Sequence, residues 1–219
     1  MGNNMEIADK LMNLDDAVRR FIKNGSQIAL GGFTIVRNPM AVAYEIIRQG
    51  IKDLHIVCHS HGQALDVLIG AGCVKRLEIA YGGNGRYAPT CIRFKKAIQQ
   101  GGIEFEDYSN YQMSLRFLAG ALNIPFIPTK SGLGSDLLNL EGFSKEIRKE
   151  RKVARKKLAV MQNPFTEDKD EMVLLPALTP DVALIHVQYI GEDGTVRIKG
   201  LTFADIEQAK SADIVIVTC

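Results

Sequence analysis

Short apolar runs, each followed directly by a glycine-rich segment, set the strongest constraint on the fold of this chain. The first run, Ile28 to Leu30, precedes Gly31-Gly32, and the second, Leu54 to Cys58, precedes His59-Ser60-His61-Gly62. Continuous apolar runs of this length are typical of strands that are covered on both faces. Amphipathic segments alternate with the runs, which predicts parallel strands joined by right-handed crossovers.

The same order continues into a third predicted strand, Arg76 to Ala80, which is followed by Tyr81-Gly82-Gly83-Asn84-Gly85. We therefore predict an α/β fold with an open, mostly parallel sheet and helices on both faces. In such sheets, ligands bind outside the carboxyl ends of the strands, so we expect the glycine-rich loops to form one ligand site there. A Gly-Gly pair taken alone is more typical of a plain tight turn.

The length of 219 residues fits one large domain. We predict a single domain over residues 1–219 with a basic surface excursion near 139–162. Lys145 to Lys157 is rich in lysine and arginine, for which a solvated surface is the main interpretation and an anionic partner the alternative. The sequence stops at Cys219 directly after an apolar strand, so we expect a further segment or a partner to cover that strand.

Composition excludes several classes of protein. The formal net charge of +2 gives no field of the kind that nucleic-acid binders use. No apolar run reaches the roughly 20 residues of a membrane-spanning helix, and residues 1–10 lack the order of a signal peptide. The four cysteines show no CxxC spacing, which predicts free thiols in a reducing cytoplasm.

Histidine and cysteine residues after the second run invite two catalytic interpretations. His59 and His61 would face the same side of a strand, but no third ligand with suitable spacing is present, so we predict no metal site. Cys58 and His59 would point to opposite faces, which opposes a thiol nucleophile with an adjacent base.

Acidic residues in the fourth predicted strand leave two interpretations open. Glu104, Glu106 and Asp107 are candidates for general acid–base work, and a solvated strand edge explains them equally well. The sequence contains no Gly-x-Ser-x-Gly elbow and no Walker A lysine, and residues 82–85 lack the spacing of a dinucleotide fingerprint. No complete catalytic set is visible.

Asn24-Gly25-x-x-Ile28-Ala29-Leu30-Gly31-Gly32-Phe33, followed by Pro39, resembles the first signature of family I coenzyme A transferases, which their α (A) subunits carry. Several other segments are similar to the glutaconate CoA-transferase branch: Arg48-Gln49-Gly50-Ile51, Glu106-Asp107-Tyr108-Ser109, Pro125-Phe126-Ile127-Pro128, Asn163-Pro164-Phe165, 181–186, 193–198 and 216–219. In such proteins the chain continues past the final cysteine.

The resemblance implies roles for particular residues. The backbone N–H groups of Gly31, Gly32 and Phe33 would form a cradle for the developing oxyanion. Arg37 stands where the family usually has glycine and is similar to the branch that acts on dicarboxylic acids, so its guanidinium would clamp a distal carboxylate. A surface arginine at a helix start is the alternative. The remaining predicted wall of the acyl pocket consists of Ser60, His61, Gly62, Gly82, Gly83, Ser131 and Gly132.

The resemblance also implies a partner. Members of the family attack acyl-CoA with a glutamate in a Ser-Glu-Asn-Gly motif of the β (B) subunit, and CoA becomes bound to that glutamate as a thioester. This sequence contains neither a Ser-Glu nor a Glu-Asn pair. We therefore expect a hetero-oligomer such as (αβ)n, with the nucleophile on the partner. Coenzyme A would be a (co)substrate, and no permanently bound cofactor is predicted.

The predicted function is that of the α subunit of a heteromeric CoA transferase that moves CoA between an acyl-CoA and a (di)carboxylic acid. An acyl-CoA decarboxylase or a ring-opening CoA hydrolase of the same fold is the alternative, and in a hydrolase Glu104, Glu106 or Asp107 would gain weight as a base. A non-catalytic ligand-binding module is a third interpretation, which the intact Gly-Gly-Phe loop opposes.

Overall fold

A computed structural model describes residues 10–140, 142–167 and 169–219. Within these ranges the chain forms, in order, α1 (Leu14–Phe21), β1 (Gln27–Leu30), α2 (Met40–Arg48), β2 (Leu54–His61), α3 (Gln63–Gly70), β3 (Val74–Gly82), α4 (Ile92–Gln99), β4 (Glu104–Asp107), α5 (Asn110–Ala121), β5 (Phe126–Thr129), β6 (Ala159–Gln162), β7 (Glu171–Pro176), β8 (Val182–His186), β9 (Tyr189–Ile190), β10 (Val196–Arg197), α6 (Asp205–Ser211) and β11 (Ile214–Thr218).

The main sheet has six strands in the order β11-β8-β1-β2-β3-β4, and all neighbours are parallel. Alternate residues of β1 enter different cores, because successive strand residues point to opposite faces. Ile28 and Leu30 pack in the core beneath α1 to α3, whereas Ala29 packs with Met113 and Phe117 of α5. The predicted α/β architecture with helices on both faces is confirmed.

Parts of two predicted loops, Ser60-His61 and Tyr81-Gly82, turn out to be strand. β2 continues through His61 because Ser60 and His61 pair with Tyr81 and Gly82 of β3. On the other side, Thr34 donates its N–H to Ser60 O at 3.0 Å. The expectation that Ser60 and His61 lie in a loop is therefore wrong, and the loop begins at Gly62. The helix expected from Ala88 begins only at Ile92.

The rest of the chain forms smaller units. β5, β7 and β6 make an antiparallel sheet, so the Pro125–Pro128 segment belongs to this sheet and not to the parallel one. β9 and β10 pair across the predicted Glu192-Asp193-Gly194 turn. Among the residues that the structure describes, no helix has the length and apolar character needed to cross a membrane.

The basic segment is less solvated than its composition predicts. It contains turns and one short 3-10 helix, Ile147–Lys149. Arg148 is buried and forms an ion pair with Glu106, and Lys157 is buried and binds Asp107 at 3.0 Å. These two side chains anchor the segment to β4, while most of its other basic residues face solvent.

Candidate active site at the carboxyl edge of the sheet

The exit regions of β1, β2 and β3 contact one another directly at the carboxyl edge of the main sheet. His61 Nε2 lies 2.9 Å from Gly31 O, which joins β2 to the first glycine loop. Gly83 donates its N–H to His61 O at 3.0 Å, which joins the third exit loop to the second. The structure thus brings together the loops that the sequence placed at one edge.

The first turn of α5 connects this cluster to the Ser131–Ser135 loop. Ser60 Oγ donates to Asn110 Oδ1 at 2.7 Å. Two residues further on, Gln112 Nε2 donates to Ser131 O at 3.2 Å, and the same glutamine closes a capping box with Ser109. All of the segments predicted to wall the acyl pocket therefore belong to one contiguous region.

Exposure divides the predicted pocket residues into two groups. The predicted contact residues at the carboxyl ends of β2 and β3 are buried within this chain, so they form the interior layer of the edge: Ser60, His61, Gly62, Gly82 and Gly83. Phe33, Asn84, Ser131 and Gly132 are partly exposed and form the accessible surface of the region.

Close backbone approach explains the glycines of the first loop. A Cβ on Gly31 would lie 2.8 Å from Leu184 O, and a Cβ on Gly32 would lie 2.5 Å from Val36 O. Gly32 also has φ +86°, a conformation that L-residues rarely adopt. The Gly-Gly pair is thus a turn whose shape is fixed by the strands and the loop around it.

Each donor of the predicted N–H cradle already has an acceptor inside this chain. Gly31 donates to Leu184 O at 2.9 Å and Phe33 donates to Val36 O at 2.9 Å. The N–H of Gly32 binds Asp205 Oδ1 at 2.5 Å. The first bond belongs to the pairing of β1 with β8, the second closes a bend within the loop, and the third goes to a side-chain carboxylate. None of the three N–H groups is therefore left to bind a ligand.

Arg37 also differs from its predicted role. Its guanidinium forms an ion pair with Asp205, and the two side chains are only 2% and 1% exposed. A buried guanidinium that faces a buried carboxylate has no surface left for the distal carboxylate of a substrate. The guanidinium expected to clamp substrate is thus occupied by an internal ion pair in this chain, and it does not lie at the surface.

Aromatic rings cover the outer side of the glycine loop. Phe33 stacks face to face on Phe203, with ring centroids 4.0 Å apart and an interplanar angle of 7°. The ring of His59 lies 5.5 Å from Phe33. Phe203 has φ +48°, which is unusual for a bulky residue and is a feature that clusters at functional sites. Phe33 and Phe203 therefore form an aromatic wall beside the glycine loop.

His59 and His61, at the carboxyl end of β2, are held neutral. Burial lowers the pKa of His59, and it lowers the pKa of His61 to about 4 although the bond to Gly31 O opposes the shift. Neither Nδ1 atom has a hydrogen-bond partner. Within residues 10–140, 142–167 and 169–219, no group of three or more His, Cys, Asp or Glu side chains is arranged to hold a metal ion.

His61 is expected to make the protein sensitive to mild acid. Its pKa is about 4 in the folded state and 6.5 in the reference state, so the unfolded chain binds more protons between these values. Stability from this group is present above pH 6.5 and is lost as the pH falls through 4, by about 3 kcal/mol in total. Urea unfolding from pH 7 to pH 4 should show a shallower decline for His61→Gln. Equal declines for both proteins would contradict the assignment.

Other candidate nucleophiles and bases are occupied. Cys58 is fully buried, and desolvation raises the pKa of its thiol far above the ordinary value. Glu104 binds Arg76, Glu106 binds Arg148, and Asp107 binds Lys157. A general base needs a carboxylate that can reach substrate, so these three fit a structural role better than a catalytic one.

Asp205, Phe203 and Asn110 were not found from the sequence. Asp205 and Phe203 contact residues of the glycine loop that are about 170 positions away in the chain, and no local pattern encodes such a contact. Asn110 offered a weak signal, because it follows Ser109 at the carboxyl end of a predicted strand.

A family model for coenzyme A transferases matches residues 11–219. The chain belongs to the coenzyme A transferase family. The glycine loop and the exit loops of β2 and β3 are therefore elements of a coenzyme A transferase fold.

Named relatives narrow the branch of the family. The chain is 41% identical, over 96% of its length, to the A subunit of glutaconate CoA-transferase from Acidaminococcus fermentans. It is 34% identical, over 95% of its length, to the A subunit of 3-oxoadipate CoA-transferase from Pseudomonas knackmussii, of which it covers 69%. The crystal structure of the Acidaminococcus fermentans glutaconate coenzyme A-transferase superposes with a TM-score of 0.90 over 95% of this chain. The chain spans 66% of the length of that relative.

Proposed function

We propose that this chain is the A subunit of a heteromeric CoA-transferase that moves coenzyme A between an acyl-CoA and a dicarboxylic acid. The observation that carries the proposal is the 41% identity to the A subunit of glutaconate CoA-transferase, which extends over 96% of the chain. Glutaconate and 3-oxoadipate, after which two relatives are named, are both dicarboxylic acids, and this supports the acceptor class.

In the proposed reaction, a glutamate carboxylate on the B-type partner attacks the thioester carbonyl, and CoA leaves as a thiolate. The thiolate then attacks the glutamyl carbonyl of the resulting anhydride, which releases the first carboxylate and leaves CoA on the glutamate as a thioester. The incoming carboxylate attacks that thioester, and the same steps in reverse deliver the new acyl-CoA. Four easier substitutions thus replace one difficult exchange.

This chain lines one side of the active site, and the partner subunit supplies the nucleophile. Since Cys58 is buried and Glu104, Glu106 and Asp107 are paired, a nucleophile from another subunit suits this edge. The glycines let the loop fold tightly against β8, and the Phe33–Phe203 stack that this loop carries keeps water from the anhydride. Coenzyme A is then a cosubstrate and not a resident group. Three buried free thiols suit a cytoplasmic location.

Co-expression with the adjacent reading frame tests the proposal. We expect the purified pair to transfer CoA from acetyl-CoA to glutaconate, glutarate or 3-oxoadipate, and to release free acetate in equal amount. Borohydride reduction in the presence of acyl-CoA should then modify a glutamate on the partner chain only. Consumption of acyl-CoA without an acceptor would favour a hydrolase or a decarboxylase, and a modified residue on this chain would overturn the division of labour.

A further inference from the structure

A buried ion pair lies beneath the candidate site and joins two distant parts of the chain. Arg37 and Asp205 are 168 positions apart, and both side chains are almost fully excluded from solvent. Two charges are rarely buried without a compensating interaction, because desolvation is unfavourable for each. Here the compensation is their mutual contact, so removing either charge leaves the other unpaired.

Asp205 does more than neutralise the arginine. One carboxylate oxygen binds Arg37, while the other, Oδ1, accepts the N–H of Gly32 at 2.5 Å. One turn further along α6, Gln208 Nε2 donates to Leu30 O at 3.1 Å. The first turn of α6 is therefore hydrogen-bonded to the end of β1 and to the loop that follows it.

The loop after β1 is conformationally strained. Thr34 and Arg37 have φ values of +49° and +53°, and Gly32 has +86°. Left-handed conformations are unfavourable for residues other than glycine, so surrounding contacts must hold them in place. Arg37 supplies such a contact through its own side chain. Phe203, two residues before Asp205, lies on the same side and carries the ring that stacks on Phe33.

We infer that Arg37 and Asp205 are positioning residues that fix the Gly31-Gly32-Phe33 loop and its aromatic wall in the shape that acyl exchange uses, without touching the substrate. This inference rests on the proposed transferase function. On this inference, Arg37 does not determine the preference for dicarboxylic acids. An internal ion pair makes no contact with the acceptor acid, so its loss should affect all acceptor acids equally.

The first test needs no enzyme activity. Asp205→Ala removes the acceptor of the Gly32 N–H, so amide hydrogen exchange at Gly32 should become faster than in the wild type. The matched control is Arg76→Met, which removes a buried arginine with an ion pair to Glu104 near the start of β3. This control should leave exchange at Gly32 unchanged. Unchanged exchange in Asp205→Ala would overturn the inference.

The second test uses the complex with the partner chain. Arg37→Met should lower kcat about a hundredfold, because small misplacements of a site cost that much, while KM for acyl-CoA changes less than about threefold. Monocarboxylate and dicarboxylate acceptors should lose rate by the same factor, and Arg37→Lys should recover part of it. Arg76→Met should keep its kcat. A loss confined to dicarboxylates would show that Arg37 contacts substrate and would overturn the inference.

The two proposals fail separately. If the wild-type complex transfers no CoA, the proposed function fails, and exchange at Gly32 still decides whether Asp205 holds the loop. If Asp205→Ala does not fold, exchange at Gly32 in Arg37→Lys, which keeps the charge but lacks the planar fork, decides the matter. Faster exchange there supports the inference, and wild-type exchange opposes it.

Discussion

Gly32→Ala is expected to destabilise the protein by about 3 kcal/mol and to lower CoA transfer at least about a hundredfold. A Cβ at this position would lie 2.5 Å from Val36 O and 2.6 Å from Arg37 O. Both are backbone atoms of the same tight loop, so they cannot retreat without changing its shape. The φ of +86° adds the cost of a left-handed conformation for alanine.

Gly25→Ala is the matched control for Gly32→Ala. Gly25 has a similar φ of +77°, but nothing lies within 4 Å of the position that its Cβ would occupy. It follows α1 and lies at the opposite end of β1 from the candidate site. We expect a loss of about 1–2 kcal/mol and full activity. Urea unfolding and CoA-transfer assays of both variants, made on the complex, test the pair. Equal behaviour of the two variants would rule out the close approach as the reason for Gly32.

Arg116→Met is expected to have the largest effect on stability, about 3–5 kcal/mol. Arg116 and Glu78 are 2% and 3% exposed and lie 2.6 Å apart. His55 Nε2 approaches the other oxygen of Glu78 at 2.8 Å, and the guanidinium stacks on the ring of Tyr108 at 4.1 Å. Without the arginine, the buried carboxyl of Glu78 would keep only its contact with His55 between the sheet and α5.

The same pair sets an acid limit. Burial opposes ionisation of Glu78, but Arg116 and His55 outweigh it and hold the pKa of the carboxyl at about 2, below its ordinary 4.5. A lowered pKa gives stability that is fully present above pH 4.5 and is lost as the pH falls through 2. Arg116→Met should remove this pH-dependent part of the stability. Its melting temperature should therefore fall less than that of the wild type when thermal unfolding is compared at pH 6, 4 and 3.

Two further variants separate the buried charge from general packing. Glu78→Leu combined with Arg116→Met removes both charges, so the double variant should be more stable than Arg116→Met alone. Arg19→Met removes an exposed arginine that pairs with Asp15 and Asp16, and it should change stability by no more than about 1 kcal/mol. If the double variant lost the sum of its two single losses, an unpaired charge would not be the cause.

The sequence was sufficient for the first strand–helix–strand unit of the parallel sheet. The apolar runs at Ile28–Leu30 and Leu54–Cys58 lie inside observed strands, and the helix between them, α2, is where periodicity predicts it. These features depend on neighbours a few residues apart, which is the range over which hydrophobic periodicity acts. The family, too, followed from local motifs. That residues 1–219 form one domain stays a prediction.

Predictions failed where long-range pairing decides the outcome. The polarity of Ser60 and His61 and the glycine that follows them predict a loop. Backbone hydrogen bonds with Thr34 and pairing with β3 make these two residues part of a strand. Most basic side chains of Lys145 to Lys157 face solvent, but Arg148 and Lys157 turn inward to carboxylates of β4. Their partners lie some 40–50 positions away, and local composition carries no record of them.

The amino-acid sequence by itself determined that glycines would follow the first strand and that the loops of successive strands would meet at one edge. Only the tertiary structure decided what the first of these loops does. It gave the N–H groups of Gly31, Gly32 and Phe33 to internal acceptors and paired Arg37 with Asp205. The physical reason is that α6 packs against β8, the neighbour of β1, and its first turn reaches the glycine loop. The buried carboxylate of Asp205 accepts the N–H of Gly32 and pairs with Arg37. The sequence of residues 24–39 alone does not predict these contacts, because Asp205 lies outside it.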